Sequence, residues 1–479
     1  APRMSEGLKK EVVEWTFPGD GAGHIPNIEK INGNESSVES ESSDYVISIE
    51  KELEKFSWVG SKKWPSCSIF KIPKGLRGID SDSYTPKIIS IGPVHRSQPH
   101  LMPMEQHKWR FLSRMLARTQ RSLEDYVVPV SELKDRARDC YPLRTEDEIC
   151  DKAFVQMLLL DACFIVELLL AFHHGYVSLG YPQDDPIFAA RGLLKWIQRD
   201  LLLLENQIPL FVVDRVFQLT ASCGSSVATL AIGFFQSAIP GYVKNPDARA
   251  ASSGDIKEEE LHLLGVVWRC IVPSPWLAMR SPNTAAKPDA KFYQTMLQPV
   301  STLRDSGVKF VKKKSARLTE VEFDLERGTL YIPPLVIDDS ISIFLNLTAF
   351  EQCYPHCHDE MSLYVTLLDA LIDSPRDVAY LQHKGIIDNR LGSDAAVAEL
   401  FNRICREIVV DPIQGSHFTD LADKMNRHLA KSWPAWKVSL KREHFRHPWS
   451  ILSVAAAVIL LFLTIMQVVY AMIAYHLPP

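Results

Sequence analysis

From Ile451 to Tyr475 the chain carries no charged residue, and Gln467 is its most polar side chain. About 20 such residues are enough to cross the hydrocarbon core of a bilayer as a helix. Trp449 stands at one end of the run, and Tyr470 and Tyr475 near the other. Aromatic rings favour those levels of a membrane. A transmembrane helix over 449–475 is therefore expected, rather than a buried core helix. The basic segment before it, 437–448, contains Lys437, Lys441, Arg442 and Arg446. Positive flanks stay on the cytoplasmic side, which places the large N-terminal body in the cytosol, with the plasma membrane as the expected site. The same four residues could bind anionic lipid headgroups or serve only to orient the span.

The body has the means to fold by itself. The chain has 479 residues, 46% of them hydrophobic, which allows a sizeable core. A net charge of -5 argues against a general nucleic-acid binder. The nine cysteines are odd in number and scattered, at 67, 140, 150, 163, 223, 270, 353, 357 and 405, so reduced thiols are expected rather than a disulfide framework. No apolar stretch of signal-peptide length occurs in the first residues. Residues 1–60 are polar, with acidic patches such as "NGNESSVESESSD", and their composition is that of a disordered region. Gly19, Gly21 and Gly23 resemble a phosphate loop only superficially, since no strand precedes them and no Lys-Ser or Lys-Thr follows.

Within residues 61–436 the dominant period is helical. After Pro103, Met104, Trp109 or Lys108, Leu112 and Met115 fall at helical spacing. "DKAFVQMLLLDACFIVELLLAFHHG" is apolar nearly all round, so its helix belongs at the centre of the core, ending at Gly175. Its Asp161 and Glu167 are six residues apart and on different faces, and each is expected to bind a basic residue or a helix end. "RGLLKWIQRDLLLLENQIPLFVV" continues a helical pattern up to Leu204, then meets Glu205, Asn206, Gln207 and Pro209. Pro209 cannot continue the helix but suits the start of a new one. Asp200, Glu205, Asn206, Gln207 and Pro209 thus form a structural motif at a helix–helix joint, with Asn206 able to cap exposed backbone groups. Tyr84 to Pro93 reads as extended. Residues 240–300 form a loop-rich insert with one short helix in "EEELHLLGVVWRC". Beyond it, "VKFV", "LTEVEFD" and "TLYIPPL" read as short strands with "ERG" as a turn, a small β-hairpin feature. "ISIFLNLTAFEQCY", "SLYVTLLDALIDS", "DVAYLQHKGII" and "SDAAVAELFNRICREIV" read as helices, the last capped at Ser393-Asp394. The fold class is mainly α: a large helical body, a small β-hairpin feature and a C-terminal transmembrane helix.

The phrases "PKIISIGPVHR", "MEQHKWRFL", "DACFIVELL", "RDLLLLENQIPLFV", "LRDSGVKF", "LYIPPLVIDD", "NLTAFEQC" and "YVTLLDALIDSPRDV", in this order and followed by the "HPWSIL" anchor, resemble the plant family called domain of unknown function 247. The likeness covers about residues 84–475, and the wording around 186–216 is most similar to grass sequences. Val94 and Ala162 depart from it, standing where an aromatic and a glycine are usual. The resemblance implies a plant protein with one C-terminal membrane span and no established chemistry. Some grass members are associated with pollen self-incompatibility, a role that the shared motifs do not themselves carry.

Motif by motif, no enzyme emerges: there is no nucleophile elbow, phosphate loop or dinucleotide fingerprint. "CYPHCHDE" offers Cys353, His356, Cys357 and His358 as weak zinc ligands, but no second cluster completes a usual site. No catalytic residue, cofactor or metal is assigned. His95, His100 and His107 match no metal spacing. The sequons at Asn34 and Asn346 matter only for a lumenal body. The expected function is recognition or signalling by protein–protein binding, with an unidentified protein partner, the bilayer as anchor and no nucleic acid. The alternative is a membrane-associated enzyme, such as a hydrolase using Asp161, Glu167 or the region of His95.

Overall fold

A computed structural model describes residues 46–51, 67–142, 149–220, 224–239, 262–272, 298–314, 317–355, 357, 359–410, 417–431 and 448–476. The chain divides into Ala1–Trp64 and Pro65–Pro479. In the first unit, residues 46–51 are helical. The disordered region expected over 1–60 otherwise lies outside the described residues, as does most of the insert at 240–300.

The second unit is mainly helical. Its elements run α1 (Lys74–Ile79), α2 (Met102–Thr119), α3 (Glu124–Glu132), α4 (Lys134–Arg138), α5 (Asp151–His174), α6 (Arg191–Asp200), α7 (Leu210–Thr220), α8 (Val227–Phe235), α9 (Leu263–Ile271) and α10 (Val300–Asp305). Then come β1 (Lys309–Lys312), β2 (Glu322–Asp324), β3 (Thr329–Ile332), β4 (Leu335–Ile337), α11 (Ser342–Cys353), α12 (Glu360–Leu371), α13 (Pro375–His383), β5 (Ile387–Asn389), α14 (Asp394–Ile404), α15 (His417–Lys431) and α16 (Pro448–His476).

Helix α5 is the axis of the body. Every residue from Met157 to Ala171 is buried, Asp161 and Glu167 included. α2, α3, α7 and α8 all pack on it, which explains why its sequence is apolar all round. It is also long and apolar enough to cross a membrane, but most of it lies inside the protein, as a core helix does. Gly175 ends it in a positive-φ conformation of 86° that favours glycine. α9 joins this bundle to the second half by packing on both α8 and α11. α11 packs on α12, and α14 on both α12 and α13. One hydrophobic core runs through both halves, from Ile69 to Met425.

The small β feature is richer than a hairpin. β2 and β3 form the expected antiparallel pair around "ERG", with the Asp324 carboxylate accepting from the amides of Glu326 and Arg327. β1 joins β3 in parallel, pairing Lys309 with Thr329 and Lys312 with Ile332. "TLYIPPL" splits in two: Pro333 and Pro334 donate no ladder bonds, and the run changes sheets between β3 and β4. β4 pairs in parallel with β5, whose Ile387 comes from "GII", a segment that the sequence pattern assigns to a helix. The helix there stops at His383 and Gly385, at φ 67°, turns the chain. Ser393 caps α14 as expected, accepting from the Ala396 amide.

At the other end, α16 exposes every residue from Ala456 to Met472. This described apolar stretch is shorter than α5, and no described residue covers it.

Candidate functional site

The polar triplet inside "LLLLENQIPLFVV" sits in a buried joint. α6 ends at Asp200, α7 begins at Leu210, and every residue from Asp200 to Val213 is buried. A chain that leaves a helix inside a core strands carbonyls without water, so side chains must serve them. Gln207 Nε2 donates to the carbonyls of Leu201 at 2.7 Å and Leu203 at 2.8 Å. Asn206 Nδ2 donates to the Asp200 carbonyl at 2.9 Å. Asn206 therefore serves the end of the preceding helix, and Pro209 needs no donor of its own at the start of the next.

The same residues organise a second strand of chain. Residues 85–91 are neither helical nor part of a sheet. Their backbone is bonded to side chains instead. Asp200 Oδ2 accepts from three successive amides, Lys87 at 2.9 Å, Ile88 at 2.6 Å and Ile89 at 3.1 Å. Asn206 Oδ1 accepts from Ile91 at 2.7 Å while Nδ2 also donates to the Ile89 carbonyl at 3.0 Å. Asp161 Oδ2 accepts from the Gly92 amide at 2.8 Å. The expectation of an extended Tyr84–Pro93 segment is met only in part: Tyr84 closes a 3-10 helix, residues 85, 87 and 88 bend, Gly92 turns the chain, and the backbone between is laddered to side chains rather than to another strand. Gly92 is required: its φ is +75°, and a Cβ there would lie 2.3 Å from the Gln207 carbonyl oxygen.

Around this ladder the charges are paired. Lys108, on the apolar face of α2, donates to Asp161 Oδ1 and to the Ser90 carbonyl, both at 2.6 Å. Burial pushes the Asp161 carboxyl above its usual range, against the pull of Lys108. Glu167 binds Arg118 and, at 2.9 Å, the Tyr181 hydroxyl. Glu205 accepts from the Ile72 amide at 2.7 Å, pairs with Arg77, and lies 3.3 Å from His95 Nε2. Burial works to raise the Glu205 pKa, but His95, Arg77 and the Ile72 amide overcome it and hold the carboxyl below its usual value. Asn346 closes the network from α11, accepting from the Leu204 amide and donating to the carbonyls of Ser83 and Ser342, each at 2.9 Å. Asn346 is fully buried, so a glycan on it is incompatible with this fold. Asn34 lies outside the described residues.

Away from this network, another buried acid lies between α9, α11 and α12. Glu351 accepts from Trp268 Nε1 at 2.7 Å, from the amides of Met361 at 2.8 Å and Ser362 at 2.7 Å, and from Ser362 Oγ at 2.7 Å. Burial, opposed by these donors, pushes its pKa up to about 8. Nothing in the sequence pattern marks this acid.

The structure does not assemble the acids and histidines into one site. Asp161, Glu167 and His95 each belong to a separate set of contacts; His95 Nδ1 takes Gln98 at 2.8 Å. His100 bonds the Pro86 carbonyl at 3.1 Å. His107 is held below its ordinary pKa by burial first and by nearby Arg110 second. Among the described residues no three His, Cys, Asp or Glu side chains gather as metal ligands. Cys353 is partly buried and Cys357 buried, and burial raises both thiols, Cys353 to about 11. His356, His358 and the flank residues Lys437, Lys441, Arg442 and Arg446 lie outside the described residues. Chemically, the centre at Asp200–Gln207 fixes backbone; its carboxylates are occupied by donors.

Comparison with known proteins covers nearly the whole body. The model of the family DUF247, plant protein of unknown function, matches residues 69–463. UPF0481 protein At3g47200 of Arabidopsis thaliana is 30% identical over 431 residues, 86% of this chain and 87% of the relative. Putative UPF0481 protein At3g02645 of the same plant is 24% identical over 511 residues, covering 88% and 93%. No solved structure matches the chain.

Proposed function

This chain belongs to the DUF247 family of plant proteins of unknown function, and on that premise we propose that it is a membrane-anchored recognition protein that works by binding another protein. The observation that carries the reading is α16: a helix of 29 residues whose described side chains, from Ala456 to Met472, are apolar in the main and exposed on every side. A helix hydrophobic all round demands burial, in protein or in lipid. The uncharged run Ile451–Tyr475 in the sequence has the length for lipid. The basic stretch before it favours a cytosolic body, and the plasma membrane is the membrane we assign to it.

Association rather than covalent chemistry is supported by the way the body spends its buried polar groups. Asp161, Asp200, Glu205 and Asn346 hold backbone segments together. A role in grass pollen self-incompatibility rests on the likeness of residues 186–216 to grass sequences alone.

The test expresses the full chain in plant cells. The expected result is retention in the membrane pellet after alkaline carbonate extraction, loss of that retention on deleting 449–475, and reproducible protein neighbours in proximity labelling from the membrane. Release of the intact chain by carbonate would refute the anchor, and a labelling pattern equal to that of the anchor alone would refute recognition by the body.

A further inference from the structure

We propose that the open edge of β1 is the binding surface for an acidic, extended segment of the partner protein, which would add to the sheet as a fourth strand. The inference rests on the recognition reading above and says where on the body recognition occurs.

Two independent observations carry it. The first is the edge. The sheet order is β1-β3-β2, so β1 is outermost. Lys309 and Lys313 donate their amides inward, to Gly328 and Ile332, both at 2.8 Å. Alternate residues of a strand face opposite ways, so the amides and carbonyls of Phe310 and Lys312 point away from β3. Among the described residues neither amide donates to a backbone carbonyl outside the strands. The other edge is different, since α15 packs on β2. Val311 is 41% exposed, an apolar side chain available to a neighbouring strand.

The second observation is charge. Lys309 and Lys312 are exposed on β1 itself. Beside them, Tyr380 of α13 contacts the buried Phe310 ring at 5.9 Å and holds two cations: Arg304 at 5.1 Å from its ring centre and Lys384 at 5.5 Å. The Lys312 side chain reaches Gly385, next to Lys384. Among the described residues the carboxylate that pairs with these cations is that of Asp305, 4.0 Å from Arg304. Lys313, by contrast, is spoken for by Glu322 at 2.7 Å. Lysine on an edge strand repels a second copy of the same edge, which explains why the strand can stay open without self-association. The same charge selects an acidic strand, with main-chain bonds giving affinity and charge giving the choice of partner.

The experiment uses the full chain in phosphatidylcholine nanodiscs and a fluorescein-labelled peptide, Glu-Val-Glu-Val-Glu-Val-Glu, read by fluorescence anisotropy at low salt. Expected is saturable binding that a Lys-Val peptide of equal length does not show. The decisive pair is Lys312→Ala against Lys312→Pro. Both remove the charge, but only proline removes the outward amide, and at that position it takes nothing from the β1–β3 ladder. Proline should weaken binding at least fivefold beyond alanine, with an unchanged far-UV spectrum. Lys384→Glu, outside the strand, should also weaken binding several-fold. Equal affinities for the alanine and proline variants would overturn strand addition. So would a preference for vesicles containing phosphatidylserine over the peptide, since the patch would then be a lipid site. If proximity labelling finds a partner that ignores Lys312→Pro, the surface is wrong while the recognition reading stands.

Discussion

Replacing Asn206 by Ala tests whether the joint works as described. The side chain makes three buried hydrogen bonds: from the Ile91 amide, and to the carbonyls of Ile89 and Asp200. Alanine leaves the Ile91 amide without an acceptor in a fully buried place, a loss of about 1–3 kcal/mol. The two carbonyls lose a donor each; the Asp200 carbonyl keeps the Leu203 amide at 3.4 Å, so its share is smaller. A total of about 3–5 kcal/mol follows from about 1 kcal/mol for each of the two bonds to carbonyls plus about 1–3 kcal/mol for the orphaned amide. Unfolding entropy near 2.1 cal/mol/K per residue gives a body of about 370 residues roughly 0.8 kcal/mol/K, so the midpoint should fall by about 4–6 °C. The assay is thermal unfolding of the full chain in nanodiscs, followed at 222 nm, with Ser113→Ala on the exposed face of α2 as the control. A fall below about 1 °C would sink the claim that Asn206 holds the 85–92 segment in place. Loss of peptide or partner binding with an unchanged midpoint would reassign Asn206 to a binding surface.

Three further outcomes follow from the buried groups. Lys108→Met should cost about 3–5 kcal/mol by stranding Asp161, and adding Asp161→Asn should restore part of it, which denaturant unfolding of the two variants can compare. Burial raises the folded pKa of Glu351 to about 8 from an ordinary 4.5; its contribution is complete below pH 4.5 and lost as pH rises through 8, so Glu351→Gln should flatten that decline in the unfolding midpoint, and an identical pH profile in both proteins would refute it. Gly92→Ala should destabilise by at least about 2 kcal/mol, from a strained φ and a collision with the Gln207 carbonyl, whereas the same change at Gly192, where a Cβ meets nothing, should not destabilise at all.

Much of the helical plan is legible in the sequence because helical burial repeats locally. α5 reads as central from its composition, and Asp161 and Glu167 meet the basic partners that the cost of burying an acid demands. The joint at Asp200–Pro209 is legible because proline and the end of the apolar period coincide. What joins it to the rest is not. Asn206 reaches Ile91 across 115 residues, and Asn346 reaches Ser83 across 263. No periodicity reports a bond of that span. Lys108 carried a signal, a lysine on the apolar face of a helix, but the residue opposite it was not deducible. Likewise β5 hides in "GII", because three residues are too few to show an alternation and its partner β4 lies about fifty residues earlier. Glu351 shows the limit in its plainest form: its donors come from α9 and α12, and only the packing of three helices brings them to one carboxylate.

The side-chain ladder at 85–91 also sets an order of events during synthesis. The amides of Lys87, Ile88 and Ile89 wait for Asp200, 113, 112 and 111 residues further along the chain. At about 5–20 residues per second, a ribosome delivers that carboxylate on the order of 10 s later. Until then the segment has neither a helix of its own nor a strand to lean on, and its apolar Ile88, Ile89 and Ile91 are unprotected. The nascent chain is therefore most vulnerable to chaperone capture or misassociation in the interval between the emergence of Ile91 and that of Gln207.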